Sequence, residues 1–271
     1  HRNLVYVPGN DHIVNEDINT WRDDGVDPVD GDPMIFLQWV RDRIPDEDEA
    51  AHLLRMIAFK LQNRTERIRH HVVMYSETHQ VGKSTFVDVI VRALFGNSNT
   101  SKIGQADLEG TYTSWAAHKE IIVADEISVS KWGKKEVGNK LKDMLMAHKI
   151  TVNEKYMPRY EIDNFATYFF LSNTWPPVYI EHGDQRYFCI HFAESHMDHK
   201  FREEFFEWLY TKNGLGIIRN YLENLDVRDF DPNTFAPMTA LKKHMVRVNS
   251  SAIELWLREK QYMDCLLYTS P

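Results

Sequence analysis

Residues 71–95 constrain the fold of this 271-residue chain more than any other stretch. They open with an apolar, β-branched run, HVVMYS (71–76), of the kind found in strands covered on both faces. The polar turn ETHQVGKS (77–84) follows. Phe86, Val89, Ile90, Ala93 and Leu94 then recur at i, i+3, i+4, i+7 and i+8, which predicts a helix from Ser84 to Phe95, with Gly96 at its C-terminal stop. A buried strand, a turn ending in Gly82-Lys83-Ser84 and a helix N-terminus together make an anion site, because backbone N–H groups and the helix dipole converge there. The spacing G-x-x-x-x-G-K-[ST] asks for glycine at position 77, where this chain has Glu77. Gln80 also stands where a glycine would ease positive φ. A carboxylate beside phosphate oxygens is repulsive, so Glu77 is expected to point outward.

The rest of the chain repeats the alternation. EIIVADE (120–126), ATYFFLSN (166–173) and RYFCIHF (186–192) read as further buried strands. A basic amphipathic helix is expected over 134–147, and KITVNEKYMPRYEI (149–162) alternates like a hairpin around Met157-Pro158. Strands alternating with helices imply an α/β sheet with helices on both faces. Four regions are expected: an irregular acidic lead-in with at most short strands (1–33), a small helical subdomain (34–69), the α/β core (70–193) and a helical C-terminal region (194–271). Helices within the last are expected over 198–224 and about 238–260. The final YMDCLLYTSP fits neither a core element nor a polar terminus and reads as a truncation or non-native end, and the chain as a piece of something longer.

Charge and cysteine content narrow the partners. The net charge of −8 argues against nucleic acid until its distribution is read. Residues 1–50 hold 13 acids and 4 bases, whereas the other 221 hold 27 acids and 28 bases. Within 131–160 there are eight bases (Lys131, Lys134, Lys135, Lys140, Lys142, Lys149, Lys155, Arg159) against three acids, either a solvated helix face or a phosphate-contacting patch. Cys189 and Cys265 have no metal-type spacing, which fits a reducing, intracellular setting and leaves the Asn63 and Asn99 sequons without meaning. No apolar run reaches the roughly 20 residues that cross a bilayer.

In such a loop Lys83 reaches the β- and γ-phosphates and Ser84 ligates Mg²⁺. Asp125-Glu126, 42 residues after Lys83, closes an apolar strand and supplies a carboxylate for the Mg²⁺ water shell and another to orient or deprotonate water. Asn173 ends the next strand, either as a cap or as a group that positions water. Arg186, 13 residues on, is either a surface ion pair or an arginine finger to a neighbouring subunit, a device that adds about 10³-fold or more in rate. His70-His71 and His196-Met197-Asp198-His199 lack companion ligands at reliable spacing, and Trp115, Trp132, Trp208 and Trp256 read as packing residues.

Taken in order, these motifs resemble the superfamily 3 helicases, a branch of the AAA+ ATPases, and most nearly the helicase end of phage and viral primase-helicases. ETHQVGKST, including Thr85, corresponds to motif A, EIIVADE to motif B, LKDMLMAHKITVNEKY to B′, YFFLSN to motif C, and GDQRYFCIHF to the arginine-bearing strand. MIFLQWVRDRIPDEDEAAHLLRMIAFKLQN is similar to the helical segment before motif A, so the resemblance covers about 34 to 193. It implies a three-layer P-loop NTPase fold, ATP and Mg²⁺ as cofactors, and a hexameric ring with the finger acting in trans. It further implies a phage or similar mobile-element source, with a primase or polymerase module elsewhere in the full protein. It also implies that 149–160 grips single-stranded DNA, with Lys155 in the B′ lysine position beside Lys149, Tyr156 and Arg159; Tyr156 and Tyr160 offer stacking faces suited to sequence-independent binding. The loop entrance departs from the pattern, which keeps an alternative open: a nucleotide-binding ring that loads or clamps DNA with little or no turnover. A single-subunit P-loop kinase is disfavoured by Asp125-Glu126 and Arg186 and by the lack of a lid.

Overall fold

The computed structural model describes residues 2–126 and 135–249, with the side chains of 135–140 and 249 outside the description. Five parallel strands form the central sheet: β4 (His71–Tyr75), β5 (Thr100–Ile103), β6 (Ile121–Ala124), β9 (Thr167–Ser172) and β10 (Tyr187–His191), in the order β10-β4-β9-β6-β5. The intervening labels belong to short strands. β1 (Leu4–Val5), β2 (Ile13–Val14) and β3 (Asp17–Asn19) form a small sheet in the lead-in, and β7 (Lys149–Val152) pairs antiparallel with β8 (Tyr160–Asp163). Because all five central strands run the same way, their carboxyl ends share one edge, with Tyr75 opposite both Ser172 and His191 and Ala124 opposite Phe170.

Alternation along the strands builds two cores, as a two-residue side-chain period demands. Val72, Met74, Ile121, Val123, Phe169 and Leu171 face one layer; Val73, Tyr75, Ile122, Ala124, Tyr168 and Phe170 face the other. The first layer holds α1 (Met34–Arg43), α2 (Glu47–Gln62), the helix that follows the loop, α6 (His199–Thr211) and α7 (Gly214–Glu223). The second holds α4 (Gln105–Glu109), α5 (Lys135–Met146), the β7–β8 pair and α8 (Ala240–Asn249). This is the expected α/β sheet with helices on both faces. At the centre of the first layer, fully buried Trp39 of α1 stacks between Phe86 and Phe205 at 6.0 and 5.0 Å between ring centres. α1 and α2, read as a helical segment preceding the core, share that packing with the sheet.

Three details depart from the periodicities. The helix after the loop is π-wound over Thr85–Val91 and becomes α3 only at Arg92–Phe95, so the Arg92 N–H reaches back five residues to the Val87 carbonyl. Gly96 ends it at a positive φ of 86°, the glycine stop expected. β5 was not anticipated, because TSKI is a short, largely polar sequence at a sheet edge and buries only its first and last residues. The helix expected over 134–147 is α5; of the helix expected to reach about 260, residues beyond 249 lie outside the described residues, as do Trp132, Trp256 and Cys265.

Candidate functional site

Neighbouring carboxyl ends of β4, β9 and β6 bring the predicted groups into one cleft of about 770 Å³. Its lining includes Gly82, Lys83, Ser84, Thr85, Asp125, Glu126 and Asn173, drawn from three separate sequence stretches. The far wall comes from α6 and the segment before it, with His196, Met197, Arg202 and Phe206.

The loop holds its shape without the first glycine because position 77 does not need one. Positive φ falls at Gln80 (59°) and Gly82 (110°), and Glu77 is not among the positive-φ residues. The φ of 110° calls for glycine at position 82, and a Cβ there would also crowd the Trp39 ring at 3.1 Å. Glu77 is exposed, as expected, and its carboxylate accepts the Tyr75 hydroxyl at 3.4 Å. Behind the loop, buried Arg43 donates to the carbonyls of Ser195 (2.7 Å) and Val81 (3.4 Å).

Lys83 is buried, and its ammonium donates to the hydroxyl of Ser76. Burial pulls its pKa down to about 8 against the attraction of Glu194 and Asp125. Ser84 is exposed at the start of the helix. Both oxygens of Asp125 are engaged: one accepts the Glu126 N–H at 3.0 Å and the other pairs with Lys102 of β5 at 2.7 Å. Lys102 also pairs with Asp88 at 2.6 Å. Glu126 is exposed with φ 54°. The amide of Asn173 donates to the carbonyls of Ser76 (2.7 Å) and Thr78 (2.9 Å), tying β9 to the loop entrance. A serine hydroxyl and one carboxylate beside a phosphate cradle fit Mg²⁺, which is held through few protein ligands and keeps several waters.

Arg186 stands apart from this cleft. It precedes β10, where its carbonyl accepts the His71 N–H at the opposite edge of the sheet. Its guanidinium pairs with the nearly buried carboxylate of Asp184 and lies 5.8 Å from the Tyr187 ring. The hairpin is formed as its alternation implied, with Val152 opposite Tyr160. Lys149, Lys155 and Arg159 are exposed, and Tyr156 is 92% exposed with the Lys155 ammonium 5.1 Å from its ring. Tyr160 is less available, its hydroxyl donating to Glu154 at 2.6 Å. Of the other basic-patch residues, Lys131 and Lys134 lie outside the described residues.

Sequence reading missed Lys102, Arg202 and Glu194. Lys102 lies on the unanticipated β5, and Arg202 is one of several charges on an amphipathic helix. Glu194, just past β10, could be placed near the loop only by knowing that β10 neighbours β4.

Comparisons with known proteins bear on these features. Residues 74–186 match a family of unknown function (DUF5906), a span that runs from β4 through the hairpin and β9 to Arg186. The chain is 27% identical over 180 residues to the DNA primase-polymerase of Nitratiruptor phage NrS-1, covering 64% of this chain and 24% of that protein. The apo structure of the NrS-1 C-terminal region matches at TM-score 0.76 and 22% identity, over 93% of this chain and 62% of that one. An A-form apo structure of the same region matches with the same score over 95% and 63%. The chain thus spans about a quarter of the length of the curated relative it matches. It is homologous to a phage DNA primase-polymerase and has the fold of the NrS-1 C-terminal region, in line with the phage primase-helicase resemblance of its motifs.

Proposed function

We propose that the chain is the ATP-hydrolysing motor of a phage replication protein, a helicase of the superfamily 3 kind that works inside the host cell as a ring on single-stranded DNA. The observation that carries this reading is the convergence of Lys83, Ser84, Asp125, Glu126 and Asn173 on one cleft at the carboxyl edge of the sheet. The cleft volume lies in the ordinary range for ligand sites, about 300–1,000 Å³.

The roles follow from the positions. Gly82 and the first helical turn present N–H groups to the phosphates, and Lys83 brings a positive charge out of a buried setting. Ser84 and Asp125 would hold Mg²⁺, which when bound neutralises charge on the phosphate oxygens. Glu126, exposed and lining the cleft, takes a proton from or orients the attacking water, and Asn173 borders the same space. Arg186, turned away from its own cleft, is available to a neighbour's once released from Asp184. Exposed Lys149, Lys155, Tyr156 and Arg159 offer phosphate contacts and a stacking face to the DNA strand.

The test is hydrolysis of Mg-ATP by the purified chain, stimulated by single-stranded DNA and abolished by Lys83→Ala. An unchanged rate in that variant would sink the site assignment. One observation favours a second reading, a ring that binds nucleotide with little turnover: Lys102 already neutralises Asp125. ATP binding without multiple turnover would select it.

A further inference from the structure

The loop entrance is gripped from two strands. From beyond β10, Glu194 accepts the N–H of Glu77 on Oε1 at 2.9 Å and that of Thr78 on Oε2 at 2.8 Å. From β9, Asn173 donates to the carbonyls of Ser76 and Thr78. The Glu194 carboxylate is itself steadied, with His191 Nε2 at 2.9 Å from Oε1 and the His191 ring stacked on Tyr75. Burial acts to raise the Glu194 carboxyl, but the hydrogen bonds from Thr78, Glu77 and His191 outweigh it and hold it at about 2. Glu194 does not line the cleft, so it acts there through the backbone it holds and through the attraction of its charge for Lys83.

We infer that Glu194 is a positioning residue, a carboxylate clasp that shapes the phosphate loop at an entrance where this chain carries Glu77 rather than glycine. Two charge-assisted bonds to successive N–H groups orient the peptides that lead into Gln80–Lys83, and charged acceptors hold N–H donors more tightly than neutral ones do. The clasp also keys the loop to the far wall, because the two residues after Ser195, His196 and Met197, line the cleft before α6 begins. Two opposed parts of the cleft are thereby set by one side chain. The inference rests on the triphosphate reading of the cleft.

The experiment uses the whole chain with Glu194→Ala and Glu194→Gln, the latter keeping one acceptor without the charge. Hydrogen exchange over 76–84 and the dissociation constant of a fluorescent ATP analogue are measured together with steady-state ATPase kinetics. In Glu194→Ala, exchange at the Glu77 and Thr78 amides and the analogue's dissociation constant should each rise about tenfold, with KM following and kcat within about twofold. Glu194→Gln should fall between that variant and the parent. Unchanged exchange in Glu194→Ala overturns the clasp. Faster exchange with unchanged nucleotide affinity, or a loss confined to kcat, overturns the positioning role. If Glu194→Ala does not fold, Glu194→Gln decides by the same two readings. A parent chain that binds no nucleotide overturns the triphosphate reading and the positioning role with it, while the exchange measurement still decides whether the clasp exists.

Discussion

At the scale of the residue, the consensus glycine and the strained position do not coincide. Gln80 sits at φ 59°, a region that costs a side-chain-bearing residue about 1–2 kcal/mol, whereas position 77 carries no such strain. Gln80→Gly should therefore be neutral or stabilising by up to about 1 kcal/mol after the extra freedom of unfolded glycine is counted. Glu77→Gly, which restores the consensus, should cost about 0.5–1 kcal/mol. Urea midpoints at constant m would read both, and a larger gain from Glu77→Gly than from Gln80→Gly would contradict the φ assignment. Lys83 gives a pH dependence with a definite sign. Its pKa of about 8 is below the unfolded value, so the unfolded chain binds more protons between about 8 and 10.5 and this group's contribution to stability rises with pH across that window. Phosphate binding needs the charged form, so triphosphate affinity should move the other way and fall about tenfold from pH 7 to 9. Titration calorimetry in two buffers would show the proton uptake, and a flat profile would mean that Lys83 does not meet the phosphates.

At the scale of the element, the hairpin stands on a rigid base. The Leu145 carbonyl at the end of α5 accepts from Arg67 and lies 3.1 Å from buried His71, and Asn164 donates to the Met144 and Ala147 carbonyls. Thr113 and Asn153 exchange hydrogen bonds at the top of β7. The tip between these anchors can be altered without disturbing the sheet. Tyr156→Ala should weaken single-stranded DNA binding by about 1–3 kcal/mol regardless of sequence. Lys155→Ala should lower the slope of log affinity against log salt by about 0.7. Fluorescence anisotropy at several salt concentrations checks both, with the melting temperature unchanged as the control. Element by element, the sheet's buried strands and the hairpin were readable because each carries its own period. β5 was not, since four residues at an edge show no period. The π-winding of 85–91 also leaves no mark on the apolar spacing.

At the scale of the whole molecule, Arg186 and Lys83 lie at opposite edges of one sheet. A single chain cannot bring them together, so a shared site requires two chains. Arg186→Ala and Lys83→Ala should each be inactive alone, and mixing them should restore part of the ATPase activity, because a Lys83 from one chain can then meet an Arg186 from the other. Absence of recovery, with oligomers confirmed by light scattering under ATP and DNA, would remove Arg186 from the mechanism.

The motifs were legible in the chain because strand–turn–helix chemistry is local: Gly82-Lys83-Ser84 after an apolar run, Asp125-Glu126 after another, Asn173 after a third. Their order also sufficed to point to the α/β class. The strand order was not legible, and it governs the site. Placing β9 between β4 and β6, and β10 on the other side of β4, sets Asn173 and Glu194 on either flank of the loop entrance, while the parallel run of β10 leaves Arg186 at the opposite edge. Hydrogen bonds between strands distant in sequence make those adjacencies, and no short-range pattern encodes them.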